Sequence, residues 1–504
     1  MARRAYCPPV RRITIAILVL LLAATAVSGS QARAHATTTA QKAHATKTAQ
    51  KAIEAPRPSG VAKTKGGFVQ QIACASAKSC AAIGEWLYTE QAGKWKAVKV
   101  PPLAHAGPAN LRSLVCSVAG GCEGVGMVGL HHVVHVRQSG RQWTLGEVAL
   151  PPAAKPVDPP SGPAPTLPSI SCVSAGNCVA VGGYDASDRT THPLLVTESG
   201  RTWGAGMDAQ LPPNAATSPD LDFPGAGGSL SLVACPAAGD CAAVGTYVNA
   251  DASYSYYPWL ANESGGTWTP GVEASLPADA SIRGDLTNGP SPFFGFTGLS
   301  CPSVGNCTAV GGYENEQGSE EGLILRESNG VWLRGIRAPL PPKGVPNTEP
   351  NEFTNPMTSI SCSAPGDCAA VGLYVTHGSG TFRGLLLRER AGTWKASALV
   401  LPAGAKAPGG VFLTSVACAS RGNCVAVGYY GNRGKTRGLV VRERVGRWGR
   451  AVNAALPKGA APARKQHAFL NSVSCPSATA CAAGGYYADR SGHTQGLLLS
   501  LRLR

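Results

Sequence analysis

Residues Ser415–Trp448 read SVACASRGNCVAVGYYGNRGKTRGLVVRERVGRW, and this single stretch contains a complete repeating unit. Ser415–Cys418 and Cys424–Tyr430 are short apolar segments separated by residues 419–423, which end in Gly422-Asn423. Glycine and asparagine accept the positive φ of a tight connection, so the pair reads as a β-hairpin. Gly438–Glu443 supplies a third strand around Leu439–Val441, and a fourth opens at Trp448. Three apolar residues in succession imply burial on both faces of a sheet.

The unit recurs. C-x5-C pairs stand at Cys74/Cys80, Cys116/Cys122, Cys172/Cys178, Cys235/Cys241, Cys301/Cys307, Cys362/Cys368, Cys418/Cys424 and Cys475/Cys481. The segments before them read SISC, SLVAC, GLSC, SVAC and SVSC, and those after them CVAVGGY, CAAVGTY, CTAVGGY, CAAVGLY and CVAVGYY. A tryptophan follows at Trp95, Trp143, Trp203, Trp268, Trp332, Trp394 and Trp448. Five residues before each stands an acid or amide: Glu90, Gln138, Glu198, Glu263, Glu327, Glu389 and Glu443. A four-stranded sheet cannot bury its faces alone, so the repetition predicts an all-β fold, a β-propeller of eight four-stranded antiparallel blades.

Two points stay open at this level. Copies one and two are short between the second cysteine and the tryptophan, which leaves seven blades as the alternative. Copy eight ends at Arg504 without a tryptophan strand, so the ring needs a strand from elsewhere or a three-stranded last blade. Pro56 precedes Cys74 by the same interval that separates Pro457 from Cys475, which makes Thr48–Ala55 the candidate for the missing strand.

Cysteine usage points to an oxidising compartment. Each pair flanks a five-residue turn between adjacent strands, where a bridge is reachable and should stabilise by roughly 2–2.5 kcal/mol on a loop-entropy account. Zinc pairs have about two to four intervening residues and need a second pair nearby, so the spacing fits disulfides and no metal site. The chain begins accordingly. Arg3, Arg4, Arg11 and Arg12 border the apolar run Ile13–Val27, so residues 1–36 read as a signal peptide too short to span a bilayer. Residues 37–66 form an Ala/Lys/Thr-rich linker, and 67–504 the propeller. A secreted protein follows, with cell-surface association and an uncleaved anchor as variants. After cleavage no membrane span is expected.

The net charge of +16 is concentrated at the start of the chain: residues 1–63 hold ten Lys/Arg against Glu54 alone. A basic leader, rather than a basic groove, accounts for most of it, which argues against a nucleic-acid partner.

The hairpin before each tryptophan resembles the Asp-box of sialidase-like (BNR) propellers, S-x-D-x-G-x-T-W. TESGRTW at Thr197–Trp203 and NESGGTW at Asn262–Trp268 come nearest, with Glu198 and Glu263 where that family has Asp, and Gly200 and Gly265 matching its Gly. Other copies move the glycine by one, at Gly330, Gly392 and Gly446. The box is a structural turn in that family, so the resemblance implies fold and not activity. The whole unit also resembles secreted C-x5-C repeat proteins of high-GC Gram-positive bacteria, a group that brings no activity with it.

Strand order puts the cysteine turns on one face of the ring and the long, variable connections on the other. Six residues after the second cysteine stand Trp86, Tyr184, Tyr247, Tyr313, Tyr374, Tyr430 and Tyr487, and copy four adds Tyr254, Tyr256, Tyr257 and Trp259. These aromatics are the candidate ligand-binding residues. The competing reading packs each Tyr against a neighbouring blade with its hydroxyl aimed at a loop.

For chemistry the sequence offers less. Arg326, Arg388 and Arg442 recur with the repeat and read as edge-strand solvation rather than a substrate clamp. His131 and His135 share a strand face but stand roughly 13 Å apart, too far to chelate together. No catalytic residues and no cofactor are assigned. The expected function is a monomeric, non-catalytic recognition propeller binding glycan or envelope polymer, with a protein partner next. The alternatives are a glycoside hydrolase or lyase of sialidase-like architecture, or a structural surface protein.

Overall fold

The computed structural model describes residues 49–503 apart from 104–108, 130, 155–164, 219–225, 251–255, 282–292, 349–354 and 433. The signal segment and residues 37–48 of the linker lie outside the described residues. Eight antiparallel sheets follow one another around a ring, and each carries one disulfide between its first two strands. Blade 7 is representative: Val411–Ser420, Asn423–Asn432 and Lys435–Arg444 pair in order. Its fourth strand is broken into Arg447–Trp448 and Val452–Asn453, both paired with the third.

All eight C-x5-C pairs are bonded as their spacing predicts, but the two cysteines of a pair are not equivalent. In the structure the second cysteine of every pair is buried in its blade: Cys80, Cys122, Cys178, Cys241, Cys307, Cys368, Cys424 and Cys481. The first, at Cys74, Cys116, Cys172, Cys235, Cys301, Cys362, Cys418 and Cys475, is only partly covered. The difference has a simple cause. The second strand of each blade is flanked by the first and third and covered on both faces by neighbouring blades, so its cysteine belongs to the core. The bridges are therefore structural, and neither sulfur of a pair is a free thiol for chemistry.

Copies one and two are complete blades, so the ring has eight rather than seven. In copy one the shortening falls on the hairpin between Ser79–Gly84 and Leu87–Gln91, which shrinks a connection and costs no strand. The last blade is completed from the other end of the chain. Ala49–Glu54 pairs antiparallel with Thr494–Arg502, in register from Ala49 opposite Arg502 to Glu54 opposite Leu497.

First strands are innermost and touch their counterparts in adjacent blades all around the ring. An innermost strand has no strand partner on its axial edge, and its backbone N–H groups need acceptors. The S-x-S-C segments supply them. Ser472 and Ser474 of blade 8 accept from the Ile72 and Cys74 amides of blade 1 at 3.2 and 3.1 Å. Ser359 and Ser361 serve Val416 and Cys418 at 3.2 and 3.0 Å, and Ser169 and Ser171 serve Val233 and Cys235 at 3.1 and 2.9 Å. One residue earlier, Thr297, Thr358 and Thr414 each donate to a carbonyl of the following blade at 2.8 Å. The blades are thus laced together at the axis by short hydroxyl side chains.

The hairpin turn before each tryptophan explains the wandering glycine. Both central residues are left-handed, as in Gly200-Arg201 (φ 57° and 71°), Ala391-Gly392 (47° and 79°) and Val445-Gly446 (48° and 74°). A turn with two positive φ values matches strand twist, and glycine relieves either position. Each turn also docks on its own blade's cysteine turn, as when the Gly446 amide donates to the Gly422 carbonyl at 3.1 Å.

Candidate functional site

The aromatics singled out by the repeat are placed in the core, which corrects their reading as a stacking surface. Tyr184, Tyr247, Tyr313, Tyr374, Tyr430, Tyr487, Tyr257 and Trp259 are all buried. The reason is strand alternation: these positions point to the face that packs on an adjacent blade. The hydroxyls of Tyr184, Tyr247, Tyr313, Tyr430 and Tyr487 end on acids or amides. Tyr184 donates to Asp208 at 2.6 Å, Tyr313 to Asp279 at 2.9 Å, Tyr430 to Asn453 at 2.9 Å, and Tyr247 to Glu273 and Asn214. Burial and these carboxylate neighbours push the Tyr184, Tyr247, Tyr313 and Tyr487 hydroxyls well above the ordinary phenol range. Trp86 sits half-buried in the shortened hairpin, and Tyr88 takes over the buried position in blade 1, donating to the Phe68 carbonyl at 3.3 Å. Tyr256 is exposed, and Tyr254 lies outside the described residues.

One residue before the buried tyrosine, the side chain turns to the open side. In blades 7 and 8 this position holds Tyr429 and Tyr486, directly opposite Phe412 and Phe469 on the first strands. The four rings and Phe382 of blade 6 form one ladder. Successive centroids are 5.7 Å (Phe382–Phe412), 5.1 Å (Phe412–Tyr429), 4.6 Å (Tyr429–Phe469) and 4.6 Å (Phe469–Tyr486). All five are partly exposed, at the end of the strands remote from the cysteine turns. The Tyr429 and Tyr486 hydroxyls have no hydrogen-bond partner among the described residues. Partial burial raises the pKa of both, with mutual charge adding to the effect at Tyr486. The equivalent pairs elsewhere are Asn110/Met127, Thr166/Gly183, Ser229/Thr246 and Gly295/Gly312, so the aromatic surface occupies one side of the ring.

Of the recurrent arginines, Arg388 is a buried latch between blades, not a solvated edge residue. Arg388 of blade 6 is buried and bonds Glu443 of blade 7 at 2.7 Å and its own blade's Asp367 at 2.9 Å. Arg137 pairs likewise with Glu198 of the next blade and with Glu123 at 2.9 Å, while Arg326 stands 3.9 Å from Glu389. The same register position holds Thr89, Thr197, Asn262 and Ser500 in other blades. At two of these junctions the neighbour's tryptophan is satisfied instead: Trp143 Nε1 donates to Thr89 at 2.9 Å and Trp332 Nε1 to Asn262 at 3.1 Å. Where Thr197, Asn262 and Ser500 stand, clefts of about 420, 500 and 410 Å³ open between blades on the cysteine-turn face. The acid of the repeat, at Glu263 or Glu90, lines them.

The histidines separate. His132 bonds Glu147 at 2.6 Å, whereas His135 packs on Trp203 at 5.4 Å between ring centroids. No group of three or more potential metal ligands occurs among the described residues, and none of their helices is long and apolar enough to cross a membrane.

Fold and repeat define an eight-bladed, disulfide-stapled β-propeller with an aromatic ladder at one face and inter-blade clefts at the other. No protein-family model and no curated protein matches the chain. Among solved structures it is similar to an ulvan polysaccharide lyase (8% identity, TM-score 0.39, covering 86% of this chain and 93% of that one). A Hadza microbial sialidase (10%, 0.35, 85% and 74%) and the six-bladed fucose-recognising lectin of Aleuria aurantia (12%, 0.32, 70% and 97%) are also similar. At these scores neither ligand nor activity passes from them to this chain.

Proposed function

We propose that the protein is a secreted, non-catalytic recognition propeller whose ligand is a glycan or cell-envelope polymer, held on the ladder Phe382–Phe412–Tyr429–Phe469–Tyr486. The ladder is the observation that carries this reading: five partly exposed rings, continuous across three blades, at the open end of the strands. A contiguous apolar patch of this kind on a soluble ring marks a contact surface. Aromatic faces accept the C–H side of a pyranose, and the free Tyr429 and Tyr486 hydroxyls can bond its hydroxyls. The ladder is longer than one sugar ring, which suits a repeating polymer better than a monosaccharide. Eight disulfides suit work outside a reducing cytosol.

The test is a glycan and cell-wall-polymer array probed with the full chain exported in oxidised form. Binding should fall about tenfold or more in Tyr429→Ala and Phe469→Ala, since truncating an aromatic anchor of a contact surface costs about 2 kcal/mol or more. Tyr313→Phe, in the buried set, should bind as the parent does. Absence of polymer binding, or binding indifferent to the ladder variants, rejects the reading.

A further inference from the structure

The junction between blades 8 and 1 lacks the arginine that pairs with the neighbouring acid at the Arg137 and Arg388 junctions. Ser500 lies opposite Ala482 in the register where Arg388 lies opposite Ala369. The acid that such an arginine would meet, Glu90, is still present. Glu90 is 6% exposed, its carboxylate has no hydrogen-bond or ion-pair partner among the described residues, and it lines a cleft of about 410 Å³ with Ser500. A carboxylate on so deeply buried a side chain, open to water only through the cleft and without a counter-charge, is costly, and a buried one is ordinarily paired. The molecule shows what relieves it, because the guanidinium of Arg388 sits 2.7 Å from Glu443 at the matching place.

We propose that this cleft is a binding site for a guanidinium group of an incoming ligand, with Glu90 as its counter-ion. The ligand group takes the place that Arg137 and Arg388 fill in cis at their own junctions. Lys51, Lys78 and Arg502 line the same cleft, are exposed, and form no ion pair with Glu90. Their charge favours an arginine whose carrier is acidic, such as an Asp-Arg-Asp segment of a protein, over a bare cation. The site is independent of the aromatic ladder, which belongs to the opposite face.

Two probes test it: the capped peptide Asp-Arg-Asp and ethylguanidinium, each titrated calorimetrically into the full chain. Tighter binding of the peptide identifies a protein segment as the source, and equal binding a small guanidinium compound. Glu90→Gln should weaken either by about tenfold or more, as expected for loss of a charge-assisted pair. This variant copies Gln138, which blade 2 already accepts at the same position. Ser500→Arg should block both probes and raise the melting temperature, and the rise should vanish when Glu90→Gln is added. Failure of both probes to bind, binding unaffected by Glu90→Gln, or a Ser500→Arg effect independent of Glu90 overturns the proposal.

Discussion

The Tyr487 hydroxyl donates a hydrogen bond to Glu54, 2.9 Å away and 433 residues earlier in the chain. Glu54 stands opposite Leu497, the register that Asp208, Glu273 and Asn453 occupy opposite Leu194, Trp259 and Leu439 in their blades. Those three residues also receive the hydroxyl of their blade's core tyrosine. The N-terminal strand therefore completes blade 8 in hydrogen bonding as well as in shape.

Removing residues 1–55 should open that ring. Thr494–Arg502 would become an unprotected edge, and the buried Leu498, Leu499 and Leu501 would lose cover. A lower urea midpoint and concentration-dependent association in sizing chromatography are expected. Tyr487→Phe, which deletes only the hydroxyl bond, should cost about 1 kcal/mol or somewhat more, because Glu54 stays partly hydrated. An unchanged midpoint for the truncated chain would show that the strand is dispensable.

Arg388→Thr should be among the most damaging single substitutions, because it leaves Glu443 buried without its cation and Asp367 with Arg421 alone. Breaking one side of a buried ion pair costs about 3–5 kcal/mol. Adding Glu443→Gln recreates the Thr89–Gln138 combination of blades 1 and 2 and should recover a large part of the loss. Urea denaturation of the two variants gives the coupling directly. Additive losses would mean that the latch does not act as a unit.

Each cysteine staple closes a small loop, and Cys418→Ser with Cys424→Ser should lower stability by about 2–2.5 kcal/mol through the unfolded chain. Burial of Cys424 adds a further loss, because a serine hydroxyl replaces an apolar sulfur in the core. The bridge joins positions already opposite each other in the hairpin, so the variant should keep its near-ultraviolet circular dichroism. A structural change without a fall in midpoint would contradict this account.

Stability should also rise on mild acidification. Burial raises the pKa of Glu90, Glu327, Glu389 and Glu443 above the ordinary 4.5, against the lowering effect of Arg326 at Glu389 and of Arg388 at Glu443. Between 4.5 and the raised values the folded chain binds more protons than the unfolded one, so stability is fully present below that window and declines as pH rises through it. His135 works the other way. Burial, helped by the charge of Arg137, lowers it from 6.5 to about 4, so stability declines as pH falls through that span. In a His135→Gln background the melting temperature should be higher at pH 5 than at pH 7.5, and Glu90→Gln should flatten the difference. A midpoint that climbs steadily toward pH 7.5 in that background would refute the assignment.

Tyr429 and Tyr430 show where reading the sequence stops. The tyrosine six residues past the cysteine is conspicuous because it repeats in blades 3–8, and it repeats because those blades hold it in the core. Its neighbour varies between Gly183, Thr246, Gly312, Leu373, Tyr429 and Tyr486, which is how a surface position behaves. A one-residue shift reverses the face of a strand, so the apparent ring of ligands was the packing and the ladder lay beside it. The arginines were hidden for a related reason. Arg388 and Glu443 are 55 residues apart, and nothing local says that consecutive blades set them 2.7 Å from each other.

Strand periodicity, turn chemistry and cysteine spacing are local, and by themselves they determined the blade, its staple and the recurrence of the unit, while the completeness of copies one and two was decided by the structure. The match of Pro56 with Pro457 even marked the segment that supplies the closing strand. Which side of each strand meets the next blade, which cysteine of a pair is buried, which junctions lack an arginine, and where aromatic rings come together were decided only in the tertiary structure. Those features depend on the twist and register of sheets contributed by residues far apart in the chain, and no short window of sequence contains both partners.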